Sequence, residues 1–155
     1  MSLDSPTFKV DQAAGLRIAF VAARFNNQLV EALLDRGYAA VEQSGASVVA
    51  VERVPGSAEL PVAAALLVDA LEVDAIVVLG VVIQGDTDHH RIIGDSTAHA
   101  LTKLSVERKL PIINGILVTN TLAQAEERAH GAINRGTEFA NSALEMAAFK
   151  RKWTK

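Results

Sequence analysis

The sequence predicts an α/β fold, a three-layer α/β/α sandwich on a four-stranded parallel sheet. Three observations predict it. Four short runs rich in Val, Ile, Leu and Ala recur along the chain. The strongest, over 74–83, has no polar alternation, so both of its faces need cover. Longer segments of helical period separate the runs, and strands that alternate with helices pair in parallel through crossover connections.

The elements follow in order. Residues 17–23 read as a strand and 27–44 as a helix, with Val30, Leu34, Tyr38 and Val41 on one apolar stripe. Gly45 stops that helix. A Val-rich strand spans 46–54. The segment 59–71 is apolar almost all round, which predicts a deeply buried helix, and Pro61 falls in its first turn, where a missing N–H is tolerated. After the strand over 74–83, a helix over 87–109 turns Ile93, Ala100, Leu101 and Leu104 inward. A strand over 111–118 and helices over 122–132 and 136–150 complete the unit. The sequence reads as one domain over 1–155, with residues 1–15 as an arm ahead of it.

Composition narrows the functions. The 155 residues carry 15 basic and 18 acidic side chains, a net charge of −3, which gives no reason to expect nucleic acid or an anionic membrane as partner. Lys150-Arg151-Lys152 reads as a cationic helix terminus suited to the dipole. With no cysteine, disulfides and thiol chemistry are excluded. No apolar run approaches the roughly 20 residues that span a bilayer, and no secretory leader is evident, so the expected location is cytoplasmic.

The most informative stretch is Gly80-Val81-Val82-Ile83-Gln84-Gly85-Asp86-Thr87-Asp88-His89-His90. A strand feeds a Gly-containing turn and then a helix with a histidine in its first turn. Backbone N–H groups at a helix start lack intrahelical partners and favour an anion there. Taken alone, the stretch is better read as a plain strand–turn–helix connection with surface histidines. It is accompanied by Arg24-Phe25-Asn26 after the first strand and Val54-Pro55-Gly56-Ser57-Ala58-Glu59-Leu60-Pro61 after the second. Asn114-Gly115-Ile116-Leu117-Val118-Thr119 lies on the fourth strand, and Gln124-Ala125-Glu126-Glu127-Arg128-Ala129 and Asn134-Arg135-Gly136 follow. Topology alone puts most of these on one rim, because ligands of open α/β sheets bind outside the carboxyl ends of the strands.

This ordered set resembles the 6,7-dimethyl-8-ribityllumazine synthase family, over about 17–150. The resemblance implies a flavodoxin-like fold and a transferase of riboflavin biosynthesis. The reaction joins 5-amino-6-(D-ribitylamino)uracil to 3,4-dihydroxy-2-butanone 4-phosphate, with no metal and no organic cofactor. It also implies a homo-oligomer, a pentamer or a multiple of pentamers up to an icosahedral capsid, with sites between subunits and riboflavin synthase as an admissible partner. The arm 1–15 would add a strand to a neighbour's sheet, a pairing that Pro6 limits.

The same resemblance assigns roles. Phe25, otherwise a packing residue, would stack on the pyrimidine. Asn26 would bond the ligand or cap the next helix. Glu59, with backbone near Ser57 and Ala58, would hold the ribityl hydroxyls, and Ala58 replaces a commonly bulkier residue. Val81, Val82 and Ile83 would meet the pyrimidine edge through their backbone. Gly85, Asp86 and Thr87 would supply phosphate donors, and Gln84 stands where Arg is common. His89 matches the proton-transfer histidine, and imidazole titrates near neutrality. Arg128 would provide the phosphate's counter-charge, against the plainer reading of an exposed ion-pair residue. Asn114 stands where an aromatic from a neighbouring subunit is common, and Arg135 where Lys is common near the pyrimidine. His90, at a position often aromatic, is assigned no chemistry.

Two other readings stay open. A flavodoxin-like regulatory or binding module would share the fold. A phosphoacceptor receiver, however, needs acidic residues at the end of the first strand, which here reads Ala22-Ala23-Arg24. A flavin-binding or shell-forming relative with weak catalysis fits Ala58 and Asn114 but makes less use of His89 and Arg128. No metal-ligand set appears, since the adjacent His89 and His90 diverge on a helix.

Overall fold

The computed structural model describes residues 6–8 and 13–154. The rest of the proposed strand-adding arm, 1–5 and 9–12, and Lys155 lie outside the described residues. The elements are β1 (Arg17–Ala23), α1 (Asn27–Gln43), β2 (Ser47–Val54), a 3₁₀ turn (Ser57–Glu59), α2 (Leu60–Ala70), β3 (Ala75–Ile83), α3 (His89–Arg108), β4 (Ile112–Thr119), α4 (Leu122–Ala129) and α5 (Arg135–Trp153). All four strands pair in parallel in the order β2-β1-β3-β4, the expected three-layer, flavodoxin-like arrangement.

Side chains alternate across the sheet, and the two faces build two cores. Ile18, Phe20, Ala22, Val77, Leu79 and Leu117 pack with α1, α4 and α5. Ala19, Val21, Ala23, Ile76, Val78 and Ile112 pack with α2 and α3. On the first face, Leu29, Val30, Leu33, Leu34, Gly37 and Val41 form one stripe of α1. Phe139, Ala140, Ala143, Leu144 and Ala147 form the matching stripe of α5. The two helices cross at glycines. A Cβ on Gly37 would sit 3.2 Å from the Gly136 carbonyl oxygen, and a Cβ on Gly136 would run into the Leu33 carbonyl. Arg36 pins the crossing by donating to His130 O at 2.6 Å and Gly131 O at 3.0 Å.

The stripe differs from expectation at Tyr38, which is 41% exposed. Gly37 takes the buried position at that turn, where even a Cβ would crowd the Phe20 ring at 3.1 Å and the Gly136 carbonyl oxygen at 3.2 Å. A larger departure is α2. Its composition predicts deep burial, yet Leu60 and Ala64 are its fully buried residues while Val62 and Leu66 are 59% and 64% exposed. The helix covers the sheet with one side, and its other apolar side has no cover among the described residues.

Two helix boundaries also move. The expected helix from 87 begins at His89, leaving Gly85, Asp86 and Thr87 in an exposed turn. The helix expected to reach 132 ends at Ala129, where Glu127 Oε1 accepts from the Ala132 N–H at 3.0 Å. At the C-terminus, Arg151 does more than complement a dipole. It donates to Gly15 O at 2.9 Å and pairs with Asp74 at 2.8 Å, fastening α5 to the start of β1.

Candidate active site

The strand order locates the cleft. From β1 the chain steps to β2 on one side, then returns across to β3 on the other. The connections leaving β1 and β3 therefore diverge, and such a switch point opens a crevice at the carboxyl ends of the strands. A cleft of about 470 Å³ lies there. Phe25 and Asn26 come to it from the turn after β1, Gly56 to Glu59 from the turn after β2, Val81 to Ile83 from the end of β3, and His89 and Ile93 from the first turns of α3.

Backbone and side-chain bonds tie these segments together. Arg24 N–H donates to Val54 O at 2.9 Å and Phe25 N–H to Pro55 O at 3.3 Å, joining the first two turns. Asn26 Nδ2 donates to Val81 O at 2.8 Å, joining the first turn to β3. Gly56 N–H donates to Glu59 Oε2 at 2.8 Å, which uses one carboxylate oxygen to close the 3₁₀ turn. Ser57 is buried against Gly80 so closely that a Cβ on Gly80 would strike its hydroxyl. The Phe25 ring is 71% exposed and lies beside Gly56, where an added Cβ would stand 3.1 Å from its Cδ2.

Among the lining residues, Glu59 and His89 carry the ionisable side chains, and among the described residues no Lys or Arg lines the cleft. Its surface is mainly apolar: the Phe25 ring, Ala58, Val81 to Ile83 and Ile93. Such a slot accepts a flat heteroaromatic, with the carboxylate and imidazole at its margin. In the first turn of α3 the Asp88 side chain makes no cap bond, and the Thr87 hydroxyl accepts from the His89 N–H at 3.5 Å. The Asp88 carbonyl accepts from the Arg91 and Ile92 N–H groups, and the helix start lies next to the exposed approach formed by Gly85, Asp86 and Thr87, where its dipole favours an anion.

Of the residues singled out in the sequence, the fold gathers Phe25, Asn26, Ser57, Ala58, Glu59, Val81, Val82, Ile83 and His89 around the cleft. Gly85, Asp86 and Thr87 lie in the turn leading to it. The expected cap from Asn26 is absent, since its amide is spent on Val81. Three residues lie apart from the lining. Asn114 is exposed on the edge strand β4, its Oδ1 accepting from Ile116 N–H at 3.1 Å. Arg128 sits in the last turn of α4 and donates to Gln124 O at 3.0 Å. Arg135 opens α5 and pairs with Glu138, with its Nε buried and unpartnered among the described residues. His90 turns inward, its Nδ1 3.3 Å from Thr87 O. Two lining residues were not in the sequence-derived set. Ile93 follows His89 by one helical turn and so shares its face, and Gly56 admits the Phe25 ring. Among the described residues no group of His, Asp and Glu is placed to hold a metal, and no helix is long and apolar enough to cross a membrane.

The 6,7-dimethyl-8-ribityllumazine synthase family matches residues 15–151. A 6,7-dimethyl-8-ribityllumazine synthase of Methylobacterium radiotolerans is 44% identical over 150 residues, covering 96% of this chain and 91% of its own length. The protein of the same name from Nitrobacter hamburgensis is 40% identical over 148 residues, covering 92% and 90%. That of Thermobifida fusca is 41% identical over 150 residues, covering 95% and 86%. With the parallel sheet, the switch-point cleft and a match that spans nearly every element, this chain belongs to the 6,7-dimethyl-8-ribityllumazine synthase family.

Proposed function

We propose that this chain condenses 5-amino-6-(D-ribitylamino)uracil with 3,4-dihydroxy-2-butanone 4-phosphate to 6,7-dimethyl-8-ribityllumazine. The observation that carries the reading is the cleft: an exposed aromatic ring, an apolar strand end, a carboxylate and an imidazole converge at the switch point of a family member. The amine adds to the ketone and loses water to give an imine. Phosphate leaves, and the ribityl-bearing nitrogen closes the ring with loss of water. Most of the acceleration comes from holding two reactants in register.

In this reading Phe25 stacks on the pyrimidine and the backbone of Val81, Val82 and Ile83 meets its edge. Glu59 takes the ribityl hydroxyls, with one oxygen held by Gly56 and the other free to accept. Gly85, Asp86 and Thr87 receive the phosphate at the start of α3, and His89 moves the protons. Among the described residues no Lys or Arg lines the cleft of one chain, which supports a counter-charge for the phosphate from a second copy; in this reading Arg128 supplies it, with Arg135 and Asn114 approaching across the same interface. The uncovered side of α2 supports assembly into pentamers or their multiples.

Lumazine formation from the two substrates, followed by absorbance and fluorescence in the presence of chelator, tests the reading. A folded oligomer that gives no product rejects it. Kinetics then separate the two proposed catalytic side chains. Arg128→Ala raises the KM for butanone phosphate far more than that for the pyrimidine, because a bound phosphate loses a charge-assisted partner. His89→Ala lowers turnover by ~10–1000-fold and leaves measurable activity, the scale of acid–base assistance when orientation survives.

A further inference from the structure

Asn26 has an unusual backbone for the start of a helix. Its φ of 55° and ψ of 44° are left-handed, whereas the residue before a helix is ordinarily extended. Its carbonyl oxygen still starts α1, accepting from Leu29 N–H at 3.0 Å and Val30 N–H at 3.1 Å. Its side chain leaves the helix alone and crosses to β3, where Nδ2 meets Val81 O at 2.8 Å. The residue before it is Phe25, whose ring overhangs the cleft, and the residues after Val81 form the cleft's far edge.

The position sets two requirements that few residues satisfy together. A left-handed backbone favours Gly, then Asn and Asp. The bond to Val81 needs a short side chain with an N–H donor. Gly has the conformation without the donor. Asp has the conformation but, ionised, only accepts, and would face a carbonyl oxygen. Gln has the donor but carries an extra methylene and lacks the left-handed preference.

We propose that Asn26 is a positioning residue for the condensation: its left-handed backbone and its bond to Val81 fix the Phe25 ring and the Val81–Ile83 edge as two walls of a slot before the pyrimidine enters. The inference takes its substrate from the proposed function; the tether itself stands on geometry alone. A slot built in advance spares the ligand the entropy of ordering the two walls, and that advantage falls on the substrate that occupies the slot.

Two variants of the full-length protein test it. Asn26→Gly keeps the backbone and removes the donor. Asn26→Asp keeps the shape and the acceptor oxygen and removes the donor. With each substrate varied in turn, Asn26→Gly raises the KM for the ribitylaminouracil about 10-fold, the scale of one hydrogen bond. Asn26→Asp raises it further, and neither variant changes the KM for butanone phosphate. If Asn26→Asp matches the unsubstituted protein while Asn26→Gly is impaired, the side-chain oxygen binds ligand directly and the proposal is overturned. A lowered melting temperature with both KM values unchanged overturns it as well. Amide hydrogen exchange of ligand-free protein gives a readout free of turnover: both variants exchange faster over 24–30 and 80–83. Unchanged exchange there sinks the tether, whereas absence of product from the unsubstituted enzyme removes the proposed function and leaves the tether standing.

Discussion

The two faces of the sheet are finished differently. On the face of α1, α4 and α5 the chain closes its own core, with glycine-to-glycine contact between α1 and α5 and Arg36 binding the turn after α4. On the face of α2 and α3 the core is thinner, and Val62, Leu66, Ile92 and Val106 are left exposed, while α4 and α5 leave Leu122, Met146, Phe149 and Trp153 exposed beyond a fuller core. Of the helices, α2 is the most apolar in sequence, yet it is α2 that leaves Val62 and Leu66 exposed. The difference shows that hydrophobicity states how much surface must leave water, not which molecule covers it. The cleft's α3 wall, with His89 and Ile93, belongs to the open face.

The largest effect expected from this contrast is on the closed face. Gly136→Val places side-chain atoms on the Leu33 backbone, where no flexible side chain can yield, and destabilises the fold by about 3 kcal/mol or more. Urea unfolding reads this directly, and a midpoint equal to that of the unsubstituted protein would mean that α1 and α5 can separate without cost. An intermediate effect is expected on the open face. Leu66→Glu leaves the helical content of the chain in place but dissociates the proposed assembly, because each large apolar side chain withdrawn from an interface forfeits about 1.5–3 kcal/mol. Light scattering at micromolar concentration checks it, and an unchanged mass would remove α2 from the interface. The smallest effect sharpens the contrast: Tyr38→Ser, on the exposed side of α1, shifts stability by no more than about 0.5 kcal/mol in the same urea titration.

Much of this was legible in the sequence because it is local. The unbroken apolar run of β3 declared a central strand, and the glycine, carboxylate and histidine at strand ends fell on one rim through topology alone. What escaped was set by distant partners. Tyr38 lay on the predicted stripe, but the approach of α5 gave that turn to Gly37. The start of α3 was placed at Thr87, where Gly-Asp-Thr-Asp suits a turn as well as a helix, and the outcome was a turn. Asn26 was read as a cap or a ligand contact because its actual partner, Val81, lies 55 residues away. Nine of the residues picked from the sequence line the cleft, while Arg128, Arg135 and Asn114 lie off it on β4, α4 and α5.

The bare side of α2 has a consequence in time as well as in space. In the proposed assembly, a chain newly released from synthesis carries Val62 and Leu66 in water until it meets others like itself. The wait for that encounter shortens as chains accumulate, so the yield of finished protein is of higher than first order in expression level. During the wait the same surface can recruit an unrelated chain. Slow expression therefore exposes each molecule longer, and dilution of the finished protein returns it to that vulnerable stage.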